Sequence, residues 1–202
     1  MALRTLLPQD DVRERISSRL QDMSGRERNV ISTLGGAAVD VLGLAAPHPM
    51  FNLALEAIDR ENWIDQVQMT GWRYFVTSNE GVVATAEARS LSRNGPVEGT
   101  LTNEGPFVVG SEQALALAEK LPEVAAGQYV LGLLRVPSLY LIALWLRSEV
   151  RPEALDRFVP VAPAPEPYQV NSVMEPRAFI DILRSLKRAR LASSAGREAT
   201  TN

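Results

Sequence analysis

Leu139-Tyr-Leu-Ile-Ala-Leu-Trp-Leu146 is apolar at every position, with no polar residue to turn toward water. A run of eight is about a third of a membrane span. It is long enough for a strand, and a strand with no polar face has to be covered on both sides. We therefore expect it to be the central strand of a sheet. A buried helix is the competing reading, because short apolar runs do not separate the two. Tyr129–Val136 precedes it across Pro137–Ser138, which predicts a hairpin.

A second hairpin is predicted upstream. Trp72, Tyr74 and Val76 alternate with Arg73, Phe75 and Thr77, then Ser78-Asn-Glu-Gly81 leads into Val82–Ala88. Period 2 on both sides of a glycine-closed loop is the hairpin pattern. A related string, Leu101-Thr-Asn-Glu-Gly105, follows 24 residues later. Both strings read as glycine-closed turns feeding a strand. Paired calcium loops would need more carboxylates than one glutamate each. Short strands are also expected at 97–102, 107–109 and 158–162, with a helix N-capped by Ser111 and ended by Leu121–Pro122.

The first third reads as helical. Val12, Ile16, Leu20 and Met23 form one apolar stripe behind Pro8 and the acidic pair Asp10–Asp11, which suit a helix N-terminus. Ser24-Gly-Arg-Glu27 is a capping box, and helical spacing continues from Val30 to a stop at Pro47. Gly35–Gly36 lies inside that stretch, as a kink or close helix crossing, or else as a double-glycine processing site. Phe51, Leu55 and Ile58 predict a third helix, ending at Gly71. At the other end, four prolines between 160 and 167 predict an extended connector. Phe179, Ile182, Leu183, Leu186 and Ala189 then predict an amphipathic helix from Pro176, with a disordered tail from Ala192.

The expected fold is α+β: a helical part over 8–70 and a sheet-containing part over 71–191 in one domain spanning 1–191. The sheet should be mainly antiparallel, of about five or six strands, with the C-terminal helix packed on it; 192–202 is the tail. At 46% hydrophobic residues among 202, the chain can bury a core of ordinary size. It has no cysteine, which excludes disulfides, thiolate nucleophiles and thiolate metal sites. The N-terminus has no apolar core of signal-peptide length. With nineteen arginines to two lysines, the composition suggests a GC-rich bacterial genome, and a cytoplasmic location is expected.

Net charge is −3, and residues 1–175 carry the acidic excess. Only the segment from Pro176 is basic, so nucleic acid is a disfavoured partner. Chemistry-bearing motifs are few. The single histidine, His48, stands between two prolines and reads as a loop residue. Gly110–Ser111 lacks the second glycine of a nucleophile elbow. Glu87, Glu149 and Asp156 are carboxylates near strand ends. No catalytic set, cofactor or metal site is assigned from the sequence. The leading expectation is a non-catalytic interaction or assembly protein whose partner is protein, self or heterologous. The alternative is a small hydrolase-like enzyme using carboxylate or serine chemistry.

Overall fold

A computed structural model describes residues 3–8, 10–24, 42–79, 81–89, 99–126, 129–149 and 155–198. The elements run α1 (Asp10–Ser24), β1 (Gly43–Asn52), β2 (Gln68–Ser78), β3 (Gly81–Arg89), β4 (Gly99–Asn103), α2 (Pro106–Ala118) and α3 (Pro122–Ala125). Then come β5 (Tyr129–Val136), β6 (Leu141–Ser148), β7 (Arg157–Pro160) and α4 (Pro176–Glu198). Seven strands form one sheet in the order β4-β3-β2-β1-β5-β6-β7. Every neighbouring pair is antiparallel except β1 and β5, which run parallel. The fold is thus α+β with a mixed sheet, one strand larger than the sequence suggests.

Both predicted hairpins form, as β2–β3 and β5–β6. Of the apolar run at 139–146, Leu141–Leu146 enters β6 and is covered on both faces, while Leu139 and the exposed Tyr140 fall in the preceding turn. Leu141, Ala143 and Trp145 join one cluster with Phe158, Phe179 and Leu183. Leu144 and Leu146 join another with Ala114, Ala118 and Leu131. It is nevertheless second from the end of the sheet. The middle place belongs to β1, which the sequence assigns to helix.

That correction has a physical cause. Pro47 and Pro49 argue against a central strand because proline cannot complete a ladder. Here a bulge between Ala45 and His48 absorbs the irregularity, with Ala46 in the left-handed region at φ 45°. Moreover, β5 pairs with β1 only from Met50 to Asn52. Further along, the partner of β5 is the N-terminal segment: Arg4 N donates to Tyr129 O at 3.0 Å, and Leu131 N to Arg4 O at 2.9 Å. The prolines fall where the neighbouring strand asks nothing of them. The expected third helix reduces to single 3₁₀ turns at Leu55–Ala57 and Trp63–Gln66. Gly43–Pro47, expected to be helical, is strand. The capping box after Ser24, the Gly35–Gly36 pair and the loop at 92–96 lie outside the described residues.

Other expectations change as well. Phe107–Val109 is helical, because α2 starts at Pro106 behind Gly105, whose φ of 95° favours glycine. The second Asn-Glu-Gly string therefore feeds a helix rather than a strand. Ser111 lies within α2, where its Oγ donates to Phe107 O at 2.6 Å. The proline connector is not an extended rod: Val161 and Tyr168 are buried, and Tyr168 Oη donates to Phe179 O at 2.7 Å. Finally, residues 192–198 continue α4, whereas a disordered tail is expected there.

The helices divide the faces. Val12, Ile16 and Leu20 of α1 pack on Trp72, Tyr74, Val76 and the alanines of β3. α4 seats Phe179, Ile180 and Leu183 against Trp145 and Phe158. The Phe158 and Phe179 rings stack at 4.3 Å, and burying each such side chain contributes roughly 1.5–3 kcal/mol. Of the expected apolar stripe Ala189 is exposed, and Ile180 takes a core place instead. α2 lies over β3, β6 and β7. Gly110 allows this close approach, since a Cβ there would collide with the Ala162 backbone.

Candidate functional site

Strand alternation sends Trp72, Tyr74 and Val76 to the α1 face, and so sends Arg73 and Phe75 to the opposite one. Register then builds a row. His48 of β1 faces Arg73 of β2, and Arg73 faces Glu87 of β3. Phe75 faces Thr85 in the neighbouring row. Arg135 comes from β5 and binds Glu87 Oε1 in a short, charge-assisted contact. Four strands thus deliver two arginines, one glutamate and one histidine to a single buried patch.

The patch is deeply buried. Arg73 is 2% exposed, and His48 and Thr85 are fully buried. Arg73 Nη2 donates to Thr85 Oγ1 at 3.2 Å. Its Nε lies 3.7 Å from Glu87 Oε1, an ion pair too long for a hydrogen bond. Nε and Nη1 of Arg73 and Nε of Arg135 find no hydrogen-bond acceptor among the described residues. One carboxylate therefore serves two guanidiniums, and the buried trio carries one excess positive charge. Removal from water lowers the Arg73 pKa to about 10; Arg135 adds to this and Glu87 opposes it.

His48 responds to the same field. Desolvation, with Arg73 and Arg135 nearby, lowers its pKa to about 3, so the ring is neutral near pH 7. Its Nδ1 lies 2.7 Å from the Ala46 carbonyl, created by the bulge. The Nδ1–H donates there, which leaves the lone pair on Nε2. The expected loop residue is a buried strand residue.

Beside this patch the surface opens into a cleft of about 510 Å³. Arg135 and Glu87 form its inner wall, and Arg89 and Leu101 stand on the β3 and β4 side. The floor row pairs Met50 with Gly71, Gly71 with Arg89, and Arg89 with Gly99. Two of those four positions bear no side chain. Gly71 has φ 150°, and a Cβ there would collide with the Ala88 carbonyl. A second bulge, where the partner of β1 jumps from Gly71 to Met69, aims Thr70 at the cleft. Asn52 also lines it and has an Oδ1 with no partner among the described residues. Arg89 makes no ion pair among the described residues.

Such a lining can bind an oxyanion. Arginine stays protonated and cannot exchange protons near neutral pH. It holds planar oxyanions through a rigid fork. Glu87 is already engaged by two guanidiniums. The three sequence-flagged carboxylates do not converge. Glu149 pairs with Arg4 at 2.6 Å. Asp156 accepts from Trp145 Nε1 and Ser148 N, both at 2.7 Å. Four strand spacings, roughly 19 Å, separate β3 from β6.

Arg73 and Arg135 were not singled out by sequence reasoning. A signal did exist: Glu87 and Arg135 are each the lone charge in an otherwise apolar strand core, and lone charges of opposite sign in buried strands imply one another. Among the described residues no group of three or more His, Asp or Glu is placed to hold a metal, and no helix is long and apolar enough to cross a membrane. Comparison with protein-family models, with curated proteins and with solved structures finds no match to this chain.

Proposed function

We propose that this protein is a non-catalytic interaction protein and that the arginine-lined cleft is where it meets its partner, another protein or a second copy of itself. The observation that carries this reading is the excess positive charge, unmatched among the described residues, of the Arg73–Glu87–Arg135 trio at the inner wall of an open cleft. Arg73 is buried while Arg135 is 26% exposed at the cleft, so the cleft is the place where an anion from outside could balance the excess charge. The arginines at hand bind and orient rather than exchange protons near neutral pH, which favours recognition over hydrolysis. A cytoplasmic location fits the cysteine-free composition.

The test uses Leu101, 57% exposed on the cleft rim. A photo-crosslinking amino acid at position 101 should give a discrete protein adduct in cells that produce the chain. The same adduct should be lost when Arg135→Gln is added. A crosslinker at Leu191, on the far part of α4 and 51% exposed, should not give it. An adduct that survives Arg135→Gln, or no adduct at 101, overturns the reading.

A further inference from the structure

We propose that the group received by the cleft is a carboxylate on a short, partly apolar arm, held by Arg135 and Arg89. This rests on the cleft being the binding site, and it names the chemistry of what binds. Three observations carry it.

The first is charge. Arg73 and Arg135 face one Glu87, so a single negative charge neutralises the buried trio. Arg89 is exposed and needs no buried counter-ion, but it can supply a second fork from the rim. The second is geometry. Arg135 binds Glu87 through Nη2 alone, which leaves other donors of its guanidinium for a second carboxylate; its buried Nε has no partner among the described residues. Planar two-oxygen groups match guanidinium edges two bonds at a time. The third is the lining. Met50 and Leu101 are apolar walls, and Thr70, Thr100 and Asn52 offer neutral hydrogen-bonding groups. A cleft of about 510 Å³ is in the range of sites for organic ligands, far more room than a bare ion needs. Acidic side chains or the C-terminus of a polypeptide carry such a group, as do free organic acids.

The experiment follows the Nε–Hε resonances of Arg135 and Arg89 by NMR in the full chain. The probes are sodium butyrate, sodium phosphate and sodium chloride at matched ionic strength. Two blocked peptides are added, Ac-Ala-Val-Glu-Val-Ala-NH₂ and its glutamine counterpart. Butyrate should shift both resonances saturably, and chloride should not. Arg135→Gln should weaken butyrate binding at least tenfold as followed on Arg89, and Arg89→Gln should weaken it as followed on Arg135. A glutamate peptide at least tenfold tighter than butyrate, with the glutamine peptide silent, assigns the carboxylate to a polypeptide. Equal affinity assigns it to a free acid. Saturable shifts with phosphate but not butyrate overturn the carboxylate assignment, as do shifts unchanged by either variant or no saturable shift with any probe. The crosslink at position 101 reports on the interaction reading separately. A lost carboxylate response with an Arg135-dependent adduct removes this inference alone, and the reverse outcome removes the protein partner alone.

Discussion

The two halves of the sheet use the same hydrogen-bonding pattern for different ends. In the β5–β6–β7 half both faces are apolar. Trp145, Phe158 and Phe179 stack on one side, and Leu131, Leu144 and Val159 fill the other. Its one buried carboxylate, Asp156, accepts from Trp145 and Ser148. In the β1–β4 half the α1 face is apolar, while the opposite face mixes Met50 and Phe75 with charged groups. The opposite face buries His48, Arg73 and Glu87 in an arrangement whose charges do not cancel. One half satisfies its polar groups, whereas the other leaves positive charge over, which on the proposed reading a ligand would meet.

If this division is right, a core truncation in the first half and a charge deletion in the second should cost about the same for opposite reasons. Trp145→Ala removes a large side chain and strands the Asp156 acceptor, and should lower stability by about 3–5 kcal/mol. That is a large share of what a domain has. Urea unfolding followed by circular dichroism reads it; a midpoint close to the parent would show that the stacked cluster is not the centre of the core. Glu87→Gln changes almost no volume yet leaves two guanidiniums facing each other. It should also cost about 3–5 kcal/mol. A cost within experimental error of zero would mean that the patch is already compensated, and the contrast between the halves would disappear.

The legibility of the two halves differs as well. The β5–β6 hairpin, the β2–β3 hairpin and the apolar face of α4 declare themselves by period, because each is a local pattern. β1 does not, because its identity depends on a bulge at Ala46 and on a neighbour that pairs for only three residues. Proline there is a true statement about local geometry and a misleading one about position in the sheet. The start of α2 is hidden for a related reason: Phe107-Val-Val109 is too short to have a period, and the cue is Gly105–Pro106 before it. The site is the least legible part. Its residues lie up to 87 positions apart in the chain and meet only through register across four strands. Sequence can suggest that Glu87 and Arg135 want partners, but not that they share one.

The pH dependence of stability sharpens the comparison at smaller magnitude. His48 has a folded pKa of about 3 against about 6.5 in the unfolded chain. Between those values the unfolded state binds a proton that the folded state refuses. Stability therefore rises with pH in this window, and the contribution present above pH 6.5 is lost on acidification. From pH 7 to pH 5 the loss from this residue is about 2 kcal/mol. The readout is a difference: in His48→Phe the gap between the pH 7 and pH 5 stabilities should shrink by that amount, whatever the variant's absolute stability. An unchanged gap would show that the ring is accessible to protons in the folded state, and that this face of the sheet is wetter than the apolar half.

The smallest expected effect is the most discriminating. Arg135 is 26% exposed, and removing it leaves Arg73 and Glu87 as a neutral buried pair. Arg135→Gln should therefore change stability by no more than about 1 kcal/mol, although it binds the same carboxylate whose removal is costly. The double variant Glu87→Gln/Arg135→Gln should be more stable than Glu87→Gln alone, because the second change relieves the repulsion created by the first. Such coupling, read as the departure from additivity in urea midpoints, separates two roles for Arg135. If it is a structural partner, its loss costs several kcal/mol and the double variant is the worst of the three. If it is held in place by Glu87 in order to face the cleft, its loss is nearly silent in stability and is felt only when an anion is offered.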